Sequence, residues 1–332
     1  MAKGILIYAQ TDRKGILQNV VLELANTAQN LSEKLDNCEV NAILFSDGTN
    51  LEQNKEILSK NEFNKVFIAK SDVLKQYSME YYAKITIDLI KNIEPEIFLI
   101  GATTQGRELA PVVATSLNTG LTADCTNLDI NEKGQLASTR PTFGGNLMAT
   151  ILCKNYPQMA TVRPKVLKKS EKDIFKNTEF IEIDFDLSAV EKRVELVEFI
   201  ENKQLADVRI DEAEIIVAGG KGMKNQQGFE LLQELAQVLG GSVGASRGAV
   251  DMKLADSSIQ IGQTGKTVVP KIYIACGISG AIQHTVGMSG SDKIIAINKD
   301  ENAPIFKIAD VGIVADVFEV LPELIKTLKD KK

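Results

Sequence analysis

The run Ile272–His284, IYIACGISGAIQH, decides how the chain is read. Ile272–Ala275 is an unbroken apolar stretch, too continuous to have one wet face, and reads as a strand covered on both sides. Gly277-Ile278-Ser279-Gly280-Ala281 then leaves the strand, and glycine there lets backbone approach a ligand closely. The same grammar recurs on either side. Ile215–Ala218 is a strand closed by Gly219-Gly220. A helix covers Gly228–Leu239 and stops at Gly240-Gly241, the usual exit residue. Further strands are Ile294–Ile297 and Gly312–Val314. The closing helix opens with Asp316 and Glu319 in capping-box spacing and runs on through Leu321, Leu324, Ile325 and Leu328.

The first half repeats the alternation with longer helices. Ile5–Tyr8, Ala42–Phe45, Val66–Ala69 and Ile97–Ile100 read as buried strands. Leu17, Val20, Val21, Leu24, Ala28, Leu31 and Leu35, and later Tyr81, Ile85 and Leu89, recur at helical spacing. From about Cys125 the pattern shifts to shorter strand-like pieces ending in Pro157 and Pro164, read as extra edge strands. Ile181–Phe185 alternates apolar and acidic residues, as a half-exposed strand would. Charge-rich Glu191–Val208 reads as a connector, partly helical. The expectation is an α/β protein of two domains, 1–204 and 205–332, each a mostly parallel sheet flanked by helices.

Bulk composition narrows the function. The chain has 332 residues, 44% apolar and 25% charged, enough for full cores. A net charge of −6 argues against a nucleic-acid surface. The four cysteines, Cys38, Cys125, Cys153 and Cys276, lie far apart and form no CxxC, which fits neither zinc nor an iron–sulfur cluster. Buried free thiols in a reducing cytoplasm are expected. No stretch is long and apolar enough to span a bilayer, and the expectation from the start of the sequence is a chain with no signal or transit segment.

Chemistry concentrates after residue 215. Gly219-Gly220-Lys221-Gly222, Gly244-Ala245-Ser246-Arg247, Gly262-Gln263-Thr264-Gly265 and Gly277–Ala281 are read as loops at strand ends. In an open parallel sheet such loops line one crevice, and backbone amides there suit a phosphorylated cofactor. The chain reads GGKGMKN after Ile215–Ala218, so neither the pyridine-dinucleotide fingerprint nor a Walker A loop is present. His284 is the only histidine. It is either a surface residue at a helix start or a donor toward an acceptor that gains negative charge. Arg247 is either a surface ion-pair partner or a fixed cation favouring an anionic ring. Arg107, Arg140 and Arg163 read more readily as loop organisers than as anion sites.

The motifs IYIACGISGAIQHTVGM, IIAINKDENAPIFKIADVGIVAD, GASRGAVD and IGQTGK closely resemble the FAD domain of the electron-transfer flavoprotein alpha subunit family. GATTQGRELAPVVATSLNTGLTADCTNLDI and RPTFGGNLMATILCKNYPQMATVRP look like that family's first domain, so the resemblance covers nearly the whole chain. It implies FAD in a Rossmann-like second domain. Thr264 would bond the flavin N5 region, Arg247 would lie near the ring, and His284 would face its O2 side. Ile261, Gly262 and Gln263 would contact the flavin largely through backbone. Ser279, Gly280, Ala281, Ile282 and Gln283 would serve the ribityl and pyrophosphate, with Ser246 nearby. Asn298 and Asp316 would hold the adenosine end. Lys221 stands where relatives commonly carry arginine, keeping the charge but losing the two-pronged contact.

The resemblance also implies a role. Arg247 and His284 would stabilise an anionic semiquinone, as a one-electron carrier without a substrate-turnover site of its own requires. The partner would be the family's beta subunit, the first domain of this chain making much of the interface. The donor would be a flavoprotein dehydrogenase such as an acyl-CoA dehydrogenase, and the acceptor a quinone oxidoreductase or a ferredoxin. The alternative within the family is an NADH-dependent bifurcating complex that reduces ferredoxin. No nucleic acid and no membrane insertion are expected.

Overall fold

The computed structural model describes residues 4–142, 147–169, 177–198, 210 and 213–330. The chain divides into two compact units, Met1–Phe199 and Ile200–Lys332. The expected boundary at 204/205 lies outside the described residues. So does most of the Glu191–Val208 connector, whose described part, 191–198, is exposed and carries no helix.

In the first unit, β1 (Ile5–Ala9), α1 (Asn19–Glu33), β2 (Val40–Ser46), α2 (Leu51–Ser59), β3 (Lys65–Lys70), α3 (Met79–Ile93), β4 (Ile97–Gly101), α4 (Thr104–Ser116) and β5 (Leu121–Cys125) alternate as expected. They are followed by β6 (Asn127–Ile130), β7 (Leu136–Thr142), β8 (Leu147–Leu152), β9 (Gln158–Val162) and β10 (Glu179–Glu182). Seven strands form a sheet in the order β10-β3-β2-β1-β4-β9-β5. Every pairing in it is parallel. Alternation of side chains explains why these strands read as unbroken apolar runs. Ile5, Ile7 and Ala9 pack with Val21, Leu24 and Ala28 of α1 on one face. Leu6 and Tyr8 pack with Ile85 and Leu89 of α3 and Leu109 of α4 on the other. Both faces are dry, so both side-chain sets must be apolar.

Three expectations for this unit are corrected. β9 is an interior strand between β4 and β5, fully buried, and not an edge. The pieces after Cys125 are β6–β8, a separate antiparallel sheet whose outer strand exposes Leu147, Met148, Ile151 and Leu152. The half-exposed strand is Glu179–Glu182, two residues earlier than Ile181 and ending before Phe185.

In the second unit β11 (Ile215–Gly219), α5 (Gln226–Leu239), β12 (Ser242–Ser246), α6 (Arg247–Asp251), β13 (Gln260–Ile261), β14 (Ile272–Cys276), α7 (Ile282–Thr285), β15 (Lys293–Asn298), β16 (Val311–Val314) and α8 (Val317–Asp330) follow in turn. The six strands run β13-β12-β11-β14-β15-β16, all parallel. Counted from β11 as strand 1 the order is 3-2-1-4-5-6, that of doubly wound sheets, and it reverses between β11 and β14. Val217, Ile274, Cys276 and Ile297 pack under α5 and α8. Ile216, Ala218, Tyr273, Ala275 and Ala296 pack on the other face.

Helix α5 is capped at both ends. The Asn225 side chain accepts from Gly228 N at 3.0 Å and opens α5, which leaves through Gly240 at φ +69°. Gly244 and Ala245, read above as loop, lie inside β12. A β-carbon on Gly244 would meet Ile261 Cδ1 at 2.4 Å, so glycine there serves sheet packing. All four cysteines are free, and Cys125 and Cys276 are buried. Cys38 and Cys153 are only partly covered, because they sit in connections at the edge of the first unit. Among the described residues no helix is long and apolar enough to cross a membrane.

Candidate functional site

Because the second sheet is wholly parallel, its six carboxyl ends open on one edge, and every residue singled out by sequence in that unit lies there. Lys221 follows β11, Ser246 and Arg247 close β12, and Ile261–Thr264 leave β13. Ser279–His284 follow β14, Asn298 ends β15, and Asp316 follows β16. Strand order reverses between β11 and β14, and in such sheets that reversal is the usual position of a ligand crevice.

The glycines of two loops hold the crevice by packing backbone on backbone. A β-carbon on Gly222 would lie 2.7 Å from Gly277 Cα, and Gly277 itself adopts φ +60°. Gly280, at φ +84°, would collide with Ile305 N at 2.2 Å, where Ile305 N donates to the Ser279 carbonyl at 3.0 Å. Sequence reasoning assigned these glycines to the approach of a ligand. The structure adds loop-to-loop contact as a further cause of the missing side chains.

Lys221 packs against the start of α6, the helix that Arg247 opens. The aliphatic stem of Lys221 crosses Gly248, whose β-carbon would fall 2.5 Å from Lys221 Cε. The Arg247 side chain is 70% exposed, and its Nε stands 3.9 Å from Asp251, a weak tie within α6. Ser246 caps that helix, accepting from Ala249 N at 3.4 Å. Thr264 is exposed and accepts from Gln260 Nε2 at 3.0 Å. Gln263 N donates to the Gln283 carbonyl at 2.7 Å, so the loops after β13 and β14 are stitched together. Gly262, at φ +143°, leaves room for that carbonyl.

Other residues are already engaged within the protein. His284 is 7% exposed and not a surface residue. Its Nδ1 lies 3.0 Å from the Ile261 carbonyl and its Nε2 2.9 Å from Tyr273 Oη. Burial lowers its pKa to about 4, against a smaller opposing effect of the Ile261 hydrogen bond. The neutral ring therefore has no spare N–H for a ligand. Asn298 donates to the Ile278 carbonyl at 2.9 Å and accepts from Asp300 N at 3.0 Å. Asp316 accepts from Phe318 N at 3.0 Å, capping α8, and pairs with Lys224 at 3.5 Å. The Phe318 amide, ahead of the Lys224 charge, holds the Asp316 carboxyl below its ordinary range. Tyr273 and Lys224 escaped sequence reasoning. Tyr273 reads as one more apolar strand residue, and Lys224 as one of many surface lysines.

The crevice fits a dinucleotide-type cofactor. Among the described residues the consecutive amides Ile278–Gln283 donate to no backbone carbonyl, although Ile278 and Gly280 are buried. A run of unpaired N–H groups beside exposed Ser279 and Gln283 suits a pyrophosphate, and the exposed cations Lys221 and Arg247 lie at the same sheet edge. Fold and site thus define a cofactor-binding α/β protein with an anion-receptive crevice at the carboxyl ends of a doubly wound sheet.

Comparison with known proteins makes the class specific. Residues 5–188 match the electron transfer flavoprotein domain, and residues 209–289 match the electron transfer flavoprotein FAD-binding domain. The electron transfer flavoprotein subunit alpha of Thermoanaerobacterium thermosaccharolyticum is 48% identical over 331 residues, covering 99% of both chains. Protein FixB of Clostridium saccharobutylicum is 49% identical over 330 residues, covering 99% of this chain and 97% of its own. The subunit alpha of Bacillus subtilis is 40% identical over 329 residues, covering 99% of this chain and 98% of its own. The chain belongs to the electron transfer flavoprotein alpha subunit family, and the crevice lies in its FAD-binding domain.

Proposed function

We propose that the chain is the FAD-holding subunit of a heterodimeric carrier, paired with the family's beta subunit. The carrier takes electrons from flavoprotein dehydrogenases, acyl-CoA dehydrogenases among them, and delivers them to a quinone-linked oxidoreductase or a ferredoxin. FAD supplies the redox chemistry, taking up and releasing electrons one at a time. The observation that carries the reading is the presence, at one sheet edge, of exposed Arg247 and Lys221 and of the amides Ile278–Gln283, none of which donates to a backbone carbonyl among the described residues.

In this reading those amides, with Ser279 and Gln283, bind the pyrophosphate and ribityl chain, and Lys221 neutralises phosphate charge. Ser246 and Arg247 would hold the flavin ring, where a fixed cation favours negative charge. Ile261–Gln263 would hold the ring through backbone, and the Thr264 hydroxyl would supply a hydrogen bond to its N5 region. Asn298 and Asp316 shape the adenosine end from their capping positions, and Ile282 closes the run before Gln283. His284 supports the ring's O2 side from beneath the loop. The domains are 1–204 and 205–332, and the compartment is the cytoplasm.

The test is co-expression with the beta subunit, then titration of the purified complex with dithionite. A yellow complex with a stable one-electron-reduced spectrum at half titration is expected. A colourless complex overturns the reading. Reduction by NADH, with two FAD per heterodimer, would assign the complex to the bifurcating form.

A further inference from the structure

A buried polar chain at this edge joins β13, β14 and α7. Tyr273, the second residue of β14, is fully buried, and its hydroxyl reaches His284 Nε2 at 2.9 Å. On the other side of the ring Nδ1 reaches the Ile261 carbonyl at 3.0 Å. A carbonyl oxygen only accepts, so Nδ1 must carry the hydrogen. In the neutral ring Nε2 is then a bare acceptor, and the Tyr273 hydroxyl must donate to it. The two flanking groups select this tautomer together.

The residue so anchored immediately precedes the loop at the crevice. Ile261 leads into Gly262-Gln263-Thr264, and the amide of Gln263 is fixed by the carbonyl of Gln283, the neighbour of His284. Both ends of this contact run through the same short segment. Tyr273 reaches none of it directly, since no part of its side chain opens to the crevice.

We infer that Tyr273 is a positioning residue for the cofactor: it holds His284 as the neutral Nδ1–H tautomer, which pins the Ile261 carbonyl and sets the Gly262–Thr264 loop. The inference rests on the proposed FAD role for what the loop serves, but the hydrogen-bond chain stands on geometry alone. Burial keeps the imidazole neutral, as its pKa of about 4 indicates. Removing the hydroxyl leaves a buried Nε2 without a donor and loosens the ring's hold on the carbonyl.

His284 is the only histidine, so labelling this chain with [15N]histidine and pairing it with unlabelled beta subunit gives one imidazole to read. The parent complex is expected to show protonated Nδ1 and a hydrogen-bonded, unprotonated Nε2. Tyr273→Phe keeps the ring and removes the hydroxyl. It is expected to shift the Nε2 signal toward a free acceptor and weaken FAD binding about tenfold, the scale of one buried hydrogen bond. A protonated Nε2 in the parent overturns the inference, and this measurement decides it even if the variant does not fold. A folded variant with unchanged Nε2 signal and unchanged FAD affinity overturns it as well. A colourless parent complex would refute the FAD reading, and the tautomer read from the same sample would still uphold or refute the Tyr273–His284 chain.

Discussion

Gly220 and Gly277 lie so close that a β-carbon on Gly220 would stand 2.1 Å from the Gly277 carbonyl oxygen. The contact locks the loop after β11 to the loop after β14 across the point where strand order reverses. Gly220→Ala must therefore displace backbone, and overpacking of this type costs about 1–3 kcal/mol. Gly240 is the control, because its φ of +69° carries left-handed strain but nothing lies within 4 Å of its would-be β-carbon. Gly240→Ala is expected to cost only about 1 kcal/mol and to leave FAD affinity unchanged. Urea unfolding and flavin fluorescence separate the two, and equal FAD loss in both would sink the locking role.

Arg247 contributes little to the fold, with a 70% exposed side chain and an ion pair stretched to 3.9 Å. Arg247→Ala should change unfolding stability by no more than about 0.5 kcal/mol. It should lower the first one-electron potential or the FAD affinity by about 1.5–3 kcal/mol, the range of a hydrogen bond from a charged group. Arg247→Lys should recover only part, since lysine lacks the planar fork. Parent-like potential and affinity in the alanine variant would remove Arg247 from the site.

Legibility in the sequence followed burial symmetry. Strands dry on both faces, such as β1 and β14, announce themselves as continuous apolar runs. β9 did not, because its polar residues are satisfied by neighbours. Gln158 is fully buried, accepts from Leu136 N at 2.7 Å and donates to the Cys153 carbonyl at 2.8 Å. Thr161 accepts from Asp124 N at 2.9 Å. The site's location was legible because glycine and polar residues cluster after strands. Asp316 as the cap of the closing helix was legible too, but the bonds His284–Tyr273, Asn298–Ile278 and Asp316–Lys224 were not, since each depends on how separate segments come together.

Asp124 organises the end of the first sheet, as the loop-organiser reading of Arg107 and Arg163 anticipates. Arg163 Nη2 lies 2.5 Å from Asp124 Oδ2, and Arg107 Nη2 lies 3.2 Å from Oδ1. Burial alone would raise the Asp124 carboxyl, but Arg163, helped by Arg107, holds it below its ordinary value. Asp124→Asn should destabilise by about 1–3 kcal/mol, mostly by leaving Arg163 half-desolvated without its partner. The depressed carboxyl also means that its stabilisation, present above its unfolded pKa, is lost as pH falls through the folded value. The variant should therefore approach the parent in acid, and a constant gap from neutral to acid pH would contradict the ion-pair account.

Glu23 has the opposite sign. It is 2% exposed on α1 and accepts from Lys165 N at 2.7 Å. Burial raises its carboxyl from 4.5 to about 7, against smaller opposing effects of the Lys165 amide and nearby lysines. Between those values the folded chain keeps a proton that the unfolded chain releases. The resulting stability is complete below about 4.5 and is lost as pH rises through about 7. The separation corresponds to at most ~3 kcal/mol. Glu23→Gln keeps a carbonyl for Lys165 N and cannot ionise, so it should lack this slope. Urea midpoints across this range should show the variant gaining on the parent as pH rises, and parallel curves would exclude Glu23 as the titrating group.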